Sequence, residues 1–221
     1  MSQVTFEDIK SNEEIKTYII RADETLIELG YTEHSFAHVS KVAHGAHDIL
    51  QMLDYDDRLV ELAMIAGYMH DIGNVINRVD HAQSGAVMAF RILDKLGMDA
   101  AEVATIITAI GNHDEGTAVP VNPLAAALIL ADKSDVRRTR VRNRDFAKFD
   151  IHDRVNYAVE RSALVLNVEK RTITLELSID TQICSVMDYF EIFLTRMMLC
   201  RRAADYLDLT FKLDINGTIL L

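Results

Sequence analysis

Six residues spread along the chain have the chemistry to hold metal: His38, His70, Asp71, His81, His113 and Asp132. Imidazole and carboxylate offer only nitrogen and oxygen donors, and no cysteine stands among them. That set suits iron, manganese or zinc, and suits magnesium less well because imidazole is an intermediate ligand. The stretch "MIAGYMHDIGN", Met64 to Asn74, poses the problem most sharply, because an apolar run ends in two adjacent polar residues. A buried polar group left unmatched costs on the order of 1–3 kcal/mol. Four imidazoles and two carboxylates in a core would each need a separate partner, whereas one or two shared cations would serve them all.

Helical periodicity indicates how the six would be brought together. Residues 12–29 place Ile15, Ile19, Ile20 and Leu26 at helical spacing, with Gly30 as a stop. Residues 35–53 put Phe36, Val39, Val42, Ala46, Ile49 and Leu53 on one face, with His38 at its edge and His44 opposite. Residues 57–71 are apolar almost all round, which reads as a central buried helix delivering His70 and Asp71 at its end. Asp80 reads as the N-cap of a helix reaching to Gly97, with His81 four residues before Gly85. Asp99 caps a helix to about Gly111, and His113 extends the stripe of Ile106 and Ile110. Pro123 fits the first turn of a further helix, on which Asp132 continues the buried side of Leu124 and Leu128. His34, four residues before His38, is a candidate contact at the same place. His44, His47 and His152 read as surface residues.

The pattern then changes. "SALVLNVEKRTITLELSI" holds two β-rich runs around Glu169-Lys170-Arg171, residues 181–206 return to helix, and Asn216-Gly217 marks a second hairpin. The fold expected is mainly α: a helical bundle over residues 1–160, then a small α+β appendage over 161–221 made of antiparallel hairpins and one helix.

"HVSKVAHGA", "GYMHDIGN", "DHAQSGA", "IGNHDEG" and "ILADKSDVRRTR" together resemble the successive motifs of the HD-domain metal-dependent phosphohydrolases. The resemblance spans residues 31–145, and the ordered set is similar to the dinuclear, six-ligand subset of that superfamily. It implies that His38, His70, Asp71 and Asp132 hold one metal. Asp71 would bridge to a second metal held by His81 and His113. It further implies cleavage of a phosphoester or phosphoanhydride, in a nucleotide or similar small phosphate compound, by a metal-activated hydroxide. Asp71 and Lys133 are the candidate catalytic residues. Lys133, Arg137, Arg138 and Arg140 are the candidate phosphate contacts, since guanidinium forks bind such oxygens in pairs. Asp135 could orient a neighbouring cation or cap its own helix. The chain departs from the cyclic-di-GMP phosphodiesterases of the superfamily, with Asn74 where they have lysine and no Gly-Tyr-Pro after His113. The alternative function is a nucleotide sensor that keeps the metal fold without turnover.

Composition bounds the partners. The 221 residues carry a net charge of −11, which speaks against nonspecific nucleic-acid binding. One exception is local: "RRTRVRNR", Arg137 to Arg144, holds five arginines in eight residues. No apolar run is long enough to span a membrane, and the polar start is unlike a signal peptide. The two cysteines, Cys184 and Cys200, read as reduced thiols of a cytoplasmic protein. The apolar helix "VMDYFEIFLTRMMLC" needs burial, for which a homodimer is one solution.

Overall fold

Short polar side chains set where the helices begin. The computed structural model of the chain describes residues 3–220. Thr5 and Asp8 form a capping box on α1 (Phe6–Ser11), and Asn12 caps α2 (Glu13–Glu28). Ser35 caps α3 (Phe36–Met52) and Asp56 caps α4 (Asp57–Met69), each side chain accepting from a first-turn amide. Asp80 holds the cap position expected for α5 (His81–Lys95), but its backbone is left-handed, φ 57°, and its side chain makes no capping bond. Asp99 caps α6 (Ala100–Gly111), while Asn122 and Pro123 start α7 (Pro123–Lys133). Asp150 caps the two-turn α8 (Ile151–Ala158).

The switch to extended chain falls at the next residue. β1 (Val159–Asn167) and β2 (Thr172–Ile179) form the first expected hairpin, closed by a turn with Arg171 at φ 50°. A capping box of Ser185 and Asp188 opens α9 (Val186–Tyr206). β3 (Thr210–Ile215) and β4 (Thr218–Ile219) form the second hairpin, turned at Asn216-Gly217 with both residues at positive φ. Leu221, the last residue of that segment, lies outside the described residues. The sheet order is β1-β2-β3-β4. β2 and β3 run parallel, joined by α9 as their crossover, so the two antiparallel hairpins merge into one mixed sheet. The fold is thus mainly α with a small C-terminal α+β part.

Two close approaches fix the geometry around the His70-Asp71 doublet. A Cβ on Gly67 would lie 2.7 Å from the Ala43 Cα, so α3 and α4 meet backbone to backbone. After α4, Asp71 leads into one turn of 3-10 helix, Ile72–Val75. A Cβ on Gly73 in that turn would stand 2.0 Å from the His81 carbonyl oxygen and 2.5 Å from the Gly85 nitrogen. The start of α5 therefore rests directly on the turn that follows the doublet. At the centre, every residue of α7 from Leu124 to Lys133 is buried, enclosed by α3, α4, α6 and α9. Among the described residues, no helix is long and apolar enough to cross a membrane, and both cysteines are free and buried.

Candidate metal and phosphate site

Five elements end at one place. His38 comes from the first turn of α3, His70 and Asp71 from the end of α4, and His81 from the first residue of α5. His113 follows α6, and Asp132 lies near the end of α7. All six side chains are buried. Three overlapping triads bring ligand atoms within 4.8 Å of one another: His38, His70 and Asp71; His70, His113 and Asp132; Asp71, His81 and His113. The structure therefore brings together all six expected donors.

The outer nitrogens of the imidazoles reveal which way the inner ones face. Nδ1 of His70 donates to the Gly67 carbonyl at 2.7 Å, that of His81 to the Arg78 carbonyl at 3.0 Å, and that of His113 to the Ile110 carbonyl at 2.6 Å. Nδ1 of His38 donates to Asp135 Oδ2 at 2.8 Å. A carbonyl oxygen can only accept, so each of these rings carries its proton on Nδ1. In a neutral ring Nε2 is then a bare acceptor. Yet Nε2 of His81 and Nε2 of His113 face each other at 3.1 Å. Nε2 of His38 and Nε2 of His70 are buried with no hydrogen-bond partner.

Asp71 divides the cluster between its two oxygens. Oδ2 lies 3.1 Å from His70 Nε2 and 3.6 Å from His38 Nε2. Oδ1 lies 3.4 Å from His81 Nε2 and 3.9 Å from His113 Nε2. Asp132 Oδ1 faces the first pair, 3.4 Å from His38 Nε2 and 3.8 Å from His70 Nε2. Burial opposes ionisation of Asp71, but the imidazoles of His70 and then His81 beside it hold its carboxyl well below the usual range. For His113, burial first, and then its neighbours His70 and Lys133, push the ring well below its usual value. That ring therefore favours the neutral form, and protonation is a costly way to relieve crowding among acceptors. Converging acceptors of this kind, with tautomers fixed from outside, fit a cation among them. The donor set fits the group expected from the sequence.

A cavity of about 420 Å3 opens beside the cluster. Asp71, His81, His113 and Asp132 line its floor, and His34 lies alongside. Of the four expected phosphate contacts, Lys133 and Arg140 line it, and Arg137 and Arg138 do not. Lys133 Nζ lies 2.6 Å from Asp132 Oδ2 and 3.1 Å from Glu115 Oε2. Burial opposes its charge, but these two carboxylates raise its pKa overall. Arg140 is anchored by Nε to the Glu33 carbonyl and by Nη1 to the Asp135 carbonyl. Arg137 is spent on Asp135 and Glu33, and Arg138 bonds the Tyr157 carbonyl while lying over the Tyr157 ring. His152, exposed as expected, stands at the cavity wall with Asp150 and Asp153.

Two residues at the site, Arg78 and Arg196, were not singled out from sequence, and two that were, Asp135 and Asn74, take roles the sequence did not specify. Arg78 and Arg196 also line the cavity. Asp135 turns out to hold His38 as well as Lys41, at 2.8 Å, and Arg137, at 2.9 Å. Asn74, buried, donates to both the Asp71 carbonyl and Asp71 Oδ1 at 2.9 Å and accepts from Arg78 at 3.3 Å.

This chain belongs to the HD domain family, whose sequence model matches residues 35–192. An uncharacterized protein of Methanocaldococcus jannaschii is 24% identical over 192 residues, which span 76% of this chain and 73% of that protein. Among solved structures, a predicted HD superfamily hydrolase from an uncultured Thermotogales bacterium is similar with 27% identity. It covers 56% of this chain and 67% of its own, at a TM-score of 0.45.

Proposed function

We propose that the protein is a metal-dependent phosphohydrolase of the HD family, with two metals and a small phosphorylated substrate of the nucleotide type. The observation that carries this reading is the convergence of acceptor-only nitrogens on the split carboxylate of Asp71. His38, His70, Asp71 and Asp132 would hold one cation, and Asp71, His81 and His113 the other. Iron and manganese suit these ligands best, and zinc is compatible. Such ions supply Lewis-acid polarisation of phosphoryl oxygens and a lowered pKa for water.

The chain's own groups do the rest. The Nδ1 bonds to carbonyls keep three rings, those of His70, His81 and His113, aimed inward before any substrate arrives. Asp135 does this for His38 with a carboxylate, which makes the ring a stronger donor. The Lys133 ammonium, set between Asp132 and Glu115, faces the space where a phosphoryl group meets the cluster. It would offset charge spread over the equatorial oxygens as the bond to the leaving group breaks. Arg140 and Arg78 flank the same cavity and would hold the substrate in register.

Metal analysis of the purified protein tests this reading first. More than one equivalent of iron, manganese or zinc is expected, and less than half an equivalent with chelator-insensitive activity would sink it. Asp71→Ala should lower metal content and abolish turnover of a phosphoester panel assayed with added manganese. Retained turnover would remove Asp71 from the bridging role.

A further inference from the structure

Arg196 enters the cavity from α9, an element that supplies none of the six donors. Its Nε donates to Glu115 Oε1 at 2.6 Å. Its guanidinium carbon stands 4.4 Å from the centroid of the Phe193 ring, one turn earlier on the same helix. The carboxylate thus fixes one edge of the guanidinium and the ring fixes its face. Among the described residues, neither terminal Nη group has a protein hydrogen-bond partner, and the side chain keeps 24% of its surface. An arginine held this way offers its remaining fork to two oxygens of one anion.

Its position relative to the cluster gives that anion a place. Glu115 links Arg196 to Lys133, and Lys133 links to Asp132. Along this chain of charges Arg196 stands beyond Lys133, where a phosphate joined to the one at the cluster would extend.

We infer that Arg196 is a specificity-determining contact for a phosphate linked to the one being cleaved, so the site prefers substrates with two or more consecutive phosphates over monoesters. This rests on the phosphohydrolase reading for the placement of the first phosphate. Anchorage of α9 to the loop carrying Glu115 is a separate role for the same ion pair, and it would not discriminate between ligands.

The test uses the full chain in excess manganese, titrated calorimetrically with methylphosphonate and with methylenediphosphonate, whose P–C–P link resists hydrolysis. The wild type should bind the diphosphonate about tenfold more tightly. Arg196→Ala should lose that preference while its methylphosphonate affinity stays within about twofold. Arg196→Lys retains the charge without the fork and guards against loss of folding in the alanine variant. It should keep the melting temperature and recover only part of the preference. No preference in the wild type, a preference retained by the alanine variant, or equal weakening of both ligands would overturn the inference. If no phosphoester is turned over but an Arg196-dependent diphosphonate preference remains, the anion contact stands and the hydrolase reading fails. If monoesters are turned over with no such preference, the reverse holds.

Discussion

One amide group, that of Asn74, holds the carboxylate on which the whole cluster turns. Its Nδ2 reaches both the backbone carbonyl and Oδ1 of Asp71, so removing it frees Asp71 to rotate. Outer partners of metal ligands typically contribute about 10–100-fold to affinity or activity. Asn74→Ala should therefore reduce kcat on the best phosphoester, and the metal content, by about that factor, read by steady-state kinetics and elemental analysis. Asp135 bears comparable weight at His38. The sequence made His70, His113 and Asp132 legible because each continues an apolar stripe, while His38 stood at the edge of one, Asp71 came with the doublet and His81 with its place four residues before Gly85. It left Asp135 ambiguous, and it pointed to Arg137 and Arg138, which face Asp135 and Tyr157 instead of the cavity. Spacing within a run of arginines carries no direction, since two residues apart on an irregular turn can face opposite ways.

At the scale of elements, the start of α5 is docked on the turn after the doublet through Gly73 and Gly85. A methyl on Gly73 would stand 2.0 Å from a backbone oxygen that has no flexible end to yield. Overpacking of a tight contact costs about 1–3 kcal/mol and occasionally more. Gly73→Ala should lower the melting temperature by roughly 5–10 °C, taking about 2–4 °C per kcal/mol for a chain of this size. His81 should lose its place with it, so the variant's metal content should fall at temperatures where it remains folded. The helices themselves were readable from period and caps, down to Pro123 at the start of α7. The parallel pairing of β2 with β3 was not, because each hairpin is signalled locally whereas their joining depends on where α9 delivers the chain. For the same reason Arg196 escaped notice: its partner Glu115 is 81 residues away in sequence.

At the scale of the whole molecule, one buried cluster of apolar residues runs from Val4 to Ile215 and joins the helices to the sheet. Cys200 lies within it, and burial pushes its thiol up to about 12. In an unfolded chain the same thiol ionises near about 8.5. Between these values the unfolded state binds fewer protons, so stability is full below the lower value and declines as pH rises toward the upper one. Urea midpoints at pH 8, 9 and 10 should fall steadily, and the fall should be shallower in Cys200→Ala. Cys184, Tyr55, Tyr68 and Tyr189, also pushed up by burial, act in the same direction and contribute to the part that remains. In native protein at pH 8, thiol reagents should modify Cys200 far more slowly than in urea. The enclosure of α7 on every side has a consequence in time. Amides on a helix whose backbone is packed by four neighbouring helices exchange with deuterium mainly when the molecule opens as a whole. Asp132 and Lys133 should therefore sit on the slowest-exchanging segment. The loop carrying Arg78 and the start of α8 should open orders of magnitude more often, so traffic into the cavity would pass by them while the floor stays shut.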